Sequence, residues 1–373
     1  MEQYHKLLKE ILGKGDVMYE PRTEEFILGI GGWQSIYDLR EGFPLMTTKN
    51  VAPRLAFEEL FWKLRGERSV KSLVERGVNY WNANAFDKYL KTNKLSQEFP
   101  KHSEQWNGEF ARYQEKLKTG EESGDLGPVY GYQWRHWQKP VFVEGYAAGT
   151  EWIPEHIETQ DVDQLENLLK GIKEKPGSRY HLLSAWNVAD LSEMALGPCP
   201  MVHQFSVFGK NIDLNMYQRS CDVFLGVPFN IAQDSLLTHM VARETNLEPR
   251  KFIHSYGNVH SYLGVPPRAN FWTDEKNVKE FQGKFGEIKD KEQYLDLKKW
   301  YLENAPEESK GNERKDHIPF ILEQLSRKPT KLPYLEFNGN VPLLEAIKNP
   351  AMNHLDIVGY HPQKWDSKAN MAA

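Results

Sequence analysis

The chain has 373 residues, with 47 Lys and Arg against 52 Asp and Glu, hence a net charge of −5 with histidine neutral. That balance argues against a general nucleic-acid binder, which is usually basic, while leaving room for a local basic pocket around one phosphate. Hydrophobic residues at 40% and aromatics at 12% describe a globular chain, and at this length roughly three quarters of the unfolded surface is buried without help from disulfides or a metal.

In chain order, the first residues, MEQYHKLLKE, are charged throughout and lack the apolar core of a signal segment. No uncharged apolar run approaches the ~20 residues of a membrane span. The only cysteines are Cys199 and Cys221, too few for a disulfide scaffold or a Cys-rich zinc site, and suited to a reducing compartment. A cytoplasmic protein without metal, membrane or nucleic-acid partner is the expectation.

Residues 54–65 predict a helix with Leu55, Leu60, Phe61 and Leu64 on an apolar stripe, stopped by Gly66, with Glu59 beside the stripe and able to point inward. Asp163 and Glu166 resemble a capping box opening a helix over 164–175, which carries Leu165, Leu168, Leu169 and Ile172 and ends at Pro176. His181 to Trp186 reads as a buried strand. Residues 203–208 and 212–219 read as strands flanking a Gly209-Lys210-Asn211 turn, and a helix follows Pro228. Helices and strands are intermixed around one large sheet, giving an α+β or α/β class. Residues 94–124 and 138–160 are polar and read as irregular, and 266–316 is longer and highly charged; loops of this length are functional lids, peripheral subdomains or insertions, and surface insertion is the expectation for all three.

Four segments carry residues of chemical interest. Cys199 lies between two prolines in ALGPCPMVHQF. A buried inert cysteine is the commoner outcome for such a residue, and reactivity would need a cation from elsewhere in the fold. In QRSCDVFLGVPFNIA, 218–232, Arg219 and Ser220 offer a charged fork and a hydroxyl suited to phosphate. Asp222 and Asn230 there are polar groups among apolar ones. They either satisfy local backbone or read the hydrogen-bonding edge of a ligand. In DLGPVYGYQWRHW, 125–137, the glycines predict a tight turn that fixes Tyr130. In SYGNVHSYLG, 255–264, His260 and Tyr262 share one strand face, as core polar residues or as ligand contacts. No Walker loop, dinucleotide fingerprint, HExxH or EF-hand loop occurs.

Taken together and in order, these segments resemble the thymidylate synthase family. So do Arg22 in EPRT, GFPLMTTK, EELFWKLRG, YWNAN, SRYHLLSAWN, MALGPCP and GNVHSYL. The resemblance covers most of the chain outside the three insertions. It implies a single α+β catalytic domain over 1–373, with a large mixed sheet packed with helices, assembled as a homodimer with shared sites. It implies one-carbon transfer from 5,10-methylenetetrahydrofolate, as co-substrate, to C5 of dUMP. By the same resemblance Cys199 attacks C6 and Arg219 activates it. Tyr130 assists removal of the C5 proton, and Glu59 organises proton transfer at O4. Phosphate falls to Arg22, Arg219 and Ser220, with Arg179 reaching from the partner subunit. Gln218 belongs to the substrate pocket, Asn230 reads the O4/N3 edge, and His260 and Tyr262 hold the 3′-hydroxyl. Trp81, Asp222 and the terminal Ala373 meet the folate.

Departures from the family pattern leave the first half of the mechanism intact and loosen the folate side and the closing tail. Pro200 follows the nucleophile where a histidine is usual, Tyr180 replaces a second arginine, and no cation follows TTK in Asn50-Val51-Ala52. Asn258 stands where an acid precedes the sugar-binding histidine, and the tail ends in Ala373 without a bulky residue. A looser cleft admits water, so the expected product is 5-hydroxymethyl-dUMP, as made by the phage hydroxymethylases of the family. The alternative is dTMP with dihydrofolate, which the retained Trp81 favours. A third reading is a catalytically silent nucleotide-binding member.

Overall fold

The computed structural model describes residues 1–101, 103–339, 342–348, 355–364 and 369. The chain divides into two compact units, one of Met1–Phe57, Phe208–Val341 and Ala351–Ala373, the other of Glu58–Val207 and Pro342–Pro350. The strands in chain order are β1 (Asp16–Glu20), β2 (Glu25–Asp38), β3 (Trp137–Ala148), β4 (Glu151–Val162), β5 (Leu182–Ser184), β6 (Pro200–Phe208), β7 (Asn211–Asp222), β8 (Glu248–Tyr262), β9 (Tyr334–Phe337) and β10 (Leu355–Val358). Helices and strands are intermixed and the main sheet is mixed, so the class is α+β.

In the first unit β1 pairs antiparallel with β2, β2 antiparallel with β8, and β7 parallel with β8. A parallel pair needs a crossover, which the helix Gly226–Glu244 supplies. That helix is buried on nearly every side, through Val227, Ile231, Leu236, Leu237, Met240 and Val241. Helix Glu2–Lys14 buries Tyr4, Leu7, Leu8, Ile11 and Leu12 at helical spacing, and Tyr4 donates to the Val223 carbonyl at 2.9 Å. The long sheet face that the helices cover carries the even-numbered residues of β7 and β8, because side chains alternate along a strand.

In the second unit the helix Gln164–Glu174 opens on Asp163, whose carboxylate accepts the Glu166 N–H at 3.0 Å, as the capping pattern predicts. The 181–186 segment is corrected. Only Leu182–Ser184 is strand, paired with β6, and it alternates, with Leu182 exposed and Leu183 buried. The apolar letters there were split between two faces. Gly209 does turn the chain between β6 and β7, at φ +64°.

The two segments expected to be irregular, 94–124 and 138–160, are largely ordered, which is the larger correction, and the charged 266–316 segment is helical as well. Residues 104–119 form one helix, capped by Ser103 and stopped by Gly120 in the left-handed conformation. Its Trp106, Phe110 and Tyr113 close on Phe86 with centroid separations of 5.3, 5.4 and 5.1 Å. β3 and β4 form a long hairpin over 137–162. Residues 266–316 hold the helices Asn270–Thr273, Glu275–Gly286 and Gln293–Asn304. These are packed through Trp272, Phe281 and Tyr301. Charged letters on the outer faces masked the aromatic spacing on the inner ones.

Candidate active site

The second unit holds the expected nucleophile. Cys199 is half-buried, and Pro200 opens β6, a position where a missing N–H costs the ladder nothing. The Cys199 backbone N–H donates to the Tyr130 hydroxyl at 3.1 Å. Tyr130 sits at φ +42°, unusual for a side-chain-bearing residue. The turn tolerates this because its glycines allow close approach. Gly127 lies at φ +78°, and a Cβ on Gly131 would stand 1.7 Å from the Lys63 carbonyl oxygen. Burial, and next the charge of Cys199, push the Tyr130 phenol well above its ordinary range.

Glu59 points inward as its place beside the helix stripe predicted. It lies on the helix Pro53–Leu64 and is only 6% exposed. Tyr80 donates to one of its oxygens at 2.6 Å, and Trp81 Nε1 donates to the other at 3.1 Å. Lys63, one turn on, places its ammonium 3.1 Å from that second oxygen. Trp81 is buried, edge-on to Tyr130 at 5.5 Å and tilted against Trp62 at 6.2 Å. Its indole N–H therefore serves the carboxylate, and only its ring is left to meet a folate. Arg179 is exposed before β5, and the neighbouring Tyr180 is 94% exposed.

The first unit holds the expected nucleotide-reading residues. Gln218, Ser220 and Asp222 on β7 lie across from Tyr256, Asn258 and His260 on β8. A relay runs through them, from His254 Nε2 to Gln218 Oε1 at 2.9 Å, and from Gln218 Nε2 to Asn230 Oδ1 at 3.1 Å. It fixes the Asn230 amide so that its NH₂ group remains to donate. His260 Nδ1 meets Asn258 Oδ1 at 2.7 Å, so the amide at 258 still supplies the acceptor that an acid would. Burial lowers the His260 pKa, which favours the neutral ring, and Tyr262 packs edge-on at 5.4 Å. Asp222 does serve local backbone. Its Oδ1 accepts the N–H groups of Phe224 and Leu225 at 3.0 and 3.2 Å.

Arg219 falls on the opposite strand parity, beside Gly257, where an added Cβ would lie 2.9 Å from the Arg219 carbonyl oxygen. Arg22 is exposed in the β1–β2 turn, with its guanidinium 4.0 Å from Glu20. Lys49 of the TTK run is buried, donates to the Phe224 carbonyl and lies 3.7 Å from that ring's centroid. Burial lowers its pKa to about 7. Ala373 lies outside the described residues, so the tail has no structural account here. Sequence reasoning missed Lys63, Tyr80 and His254. Lys63 did carry a signal, since it stands at i+4 from Glu59 inside an apolar helix run.

Among the described residues no group of three or more His, Cys, Asp or Glu is placed to hold a metal. No helix among them is long and apolar enough to cross a membrane.

The thymidylate synthase family matches residues 2–373. A thymidylate synthase of Mycoplasma mobile is 35% identical over 369 residues, covering 97% of each chain. Those of Mesoplasma florum and Listeria monocytogenes serotype 4a are 39% and 36% identical, covering 72% and 70% of this chain and 84% and 82% of their own. The family uses dUMP, with methylenetetrahydrofolate as co-substrate. A match across essentially the whole chain and relatives of this identity place the protein in the thymidylate synthase family.

Proposed function

We propose that the protein is a thymidylate synthase that converts dUMP to dTMP. The expectation of hydroxymethylation gains no support from the relatives, which carry the synthase name. The observation that carries the reading is the Cys199–Tyr130 pair. A cysteine whose backbone is clamped by a phenol held at positive φ is a positioned nucleophile, and a merely space-filling thiol needs no such clamp.

Cys199 Sγ adds to C6 of the pyrimidine, and the electron pair displaced from the C5–C6 bond moves toward O4. Glu59 holds the proton network at O4. C5, now electron-rich, takes the one-carbon unit that the reduced folate supplies, and Tyr130 assists loss of the C5 proton. Hydride from the folate, which leaves as dihydrofolate, then reduces that unit to methyl as the Cys199–C6 bond breaks and the C5–C6 double bond returns. Asn230 donates its amide N–H to O4 and accepts from N3–H. Arg22, Arg219 and Ser220 hold the phosphate, and His260 and Tyr262 the 3′-hydroxyl. Asp222 fits a folate contact, because only Oδ1 is committed to local backbone and Oδ2 can accept from a ring N–H. The Cys199–Tyr130 contact and the held Glu59 carboxylate argue against a silent binding protein, which would need neither.

The assembly is proposed to be a homodimer. On the sheet face away from the helices, Ile36 and Tyr217 are 45% and 44% exposed. Gln34, Ser255 and Asn215 run a hydrogen-bonded ladder between them, each step 3.0 Å. Exposed Ile36 and Tyr217 beside this polar ladder give a strand face that suits a second copy.

Methylation oxidises the folate to dihydrofolate, whereas hydroxymethylation leaves tetrahydrofolate. Incubation with dUMP and methylenetetrahydrofolate is therefore expected to give dTMP and an equal amount of dihydrofolate, read by absorbance and by product mass. A product heavier than dTMP by one oxygen, with no dihydrofolate, would overturn the assignment.

A further inference from the structure

We propose that Lys63 is a positioning residue for the transfer reaction, holding Glu59 as a carboxylate aimed by its Oε2 and Oε1 contacts. The inference rests on the Glu59 role proposed above.

The Lys63 and Glu59 side chains are only 6% and 8% exposed, and their charged atoms are 3.1 Å apart. A buried ammonium is costly to desolvate unless it meets an opposite charge, and it is kept here one helical turn from a carboxylate. The second contact is what separates this pair from an ordinary helix ion pair. The Lys63 ammonium also lies 4.8 Å from the centroid of the Tyr130 ring, whose hydroxyl grips the Cys199 backbone. The Lys63 carbonyl meets Gly131 so closely that no side chain fits there. One lysine thus abuts both the proposed proton-network carboxylate and the turn that carries the proposed proton-removal phenol.

The groups that meet Glu59 include Lys63 from its own helix and Tyr80 and Trp81 from the following segment, and Tyr130 feels its charge. Arg76 is engaged by the neighbouring Glu58 at 3.4 Å. Lys63 is a cation in direct contact with the carboxylate. An opposite charge at this distance favours the ionised form. Removing it makes Glu59 easier to protonate, so the acid limb of activity moves to higher pH.

The test is the pH profile of kcat/KM for dUMP in Lys63→Gln, Lys63→Arg and Glu59→Gln. Lys63→Gln is expected to move the acid limb up by about one unit, a roughly tenfold extra loss on that limb, with recovery at alkaline pH. Lys63→Arg keeps the cation and is expected to keep the limb. Should the glutamine variant not fold, Lys63→Met is measured in its place. An unmoved limb, or an equal loss at every pH, would overturn the proposal, the second result marking a packing role only. Glu59→Gln separates the two readings. Wild-type turnover in that variant defeats the Glu59 role itself, whereas a strong loss there beside an unmoved limb in Lys63→Gln defeats the Lys63 inference alone.

Discussion

Asn230 is oriented from outside its own helix. Gln218 donates to its Oδ1, and His254 fixes Gln218 in turn. One lone pair of that oxygen is spent on Gln218 and the other can accept N3–H, while the NH₂ group donates to O4. Cytosine presents the opposite edge, a ring acceptor and an amine. Accepting it would require Asn230 to flip and the relay behind it to reverse. An unsatisfied buried hydrogen-bonding group costs about 1–3 kcal/mol. Asn230→Asp is therefore expected to weaken dUMP roughly tenfold or more in kcat/KM and to admit dCMP, measured by competition between the two nucleotides. An unchanged preference would remove Asn230 from substrate choice. The sequence marked Asn230 as a polar group among apolar neighbours that must be satisfied, and its base-reading role came from the family resemblance. His254 was not marked, because its neighbours in the chain say nothing of a partner two strands' worth of sequence away.

Elements were legible where apolar residues recurred at helical spacing or a cap had a recognisable acceptor. The helix Gln164–Glu174 shows both, opening on Asp163, whereas Pro53–Leu64 and Gly226–Glu244 were read from their apolar residues alone. The 266–316 segment was not legible, since its charge concealed Tyr294, Leu297 and Tyr301 at helical spacing. Its core is polar at one point. Tyr301 donates to Asp316 at 2.7 Å and accepts from Trp272 at 2.9 Å, and Arg268 lies 3.7 Å from the same carboxylate. Burial outweighs those partners and raises the Asp316 pKa to about 7. The folded protein then keeps a proton that the unfolded chain releases from about pH 4 upward. Stability should fall as pH rises from there to about 7 and level off above it. Asp316→Asn removes this slope, whatever constant amount the amide costs. Urea midpoints for the variant are expected to gain on wild type between pH 5 and 8. Two parallel curves would show that Asp316 stays ionised across the range.

At the scale of the whole molecule, the proposed dimer makes a prediction that no single chain can meet. Arg179 is exposed, beside a Tyr180 that is almost fully exposed, and the family resemblance sends that arginine to the partner's phosphate. If so, a site needs Cys199 from one copy and Arg179 from the other. Cys199→Ser and Arg179→Ala should each be nearly inactive alone, the first for want of a nucleophile, the second for want of a phosphate ligand. In a heterodimer of the two, one site carries both lesions and the other carries neither. Random exchange at equal amounts makes half the dimers mixed, each with one working site of two, so about a quarter of wild-type activity should return. The mixture is assayed after a brief denaturation and refolding to exchange subunits, with sedimentation to show that dimers re-form. An arginine acting within its own chain would give no recovery, because each intact Cys199 would then still face an alanine. A protein that sediments as a monomer would fail the prediction earlier, and the exposed Ile36 and Tyr217 would then need another explanation.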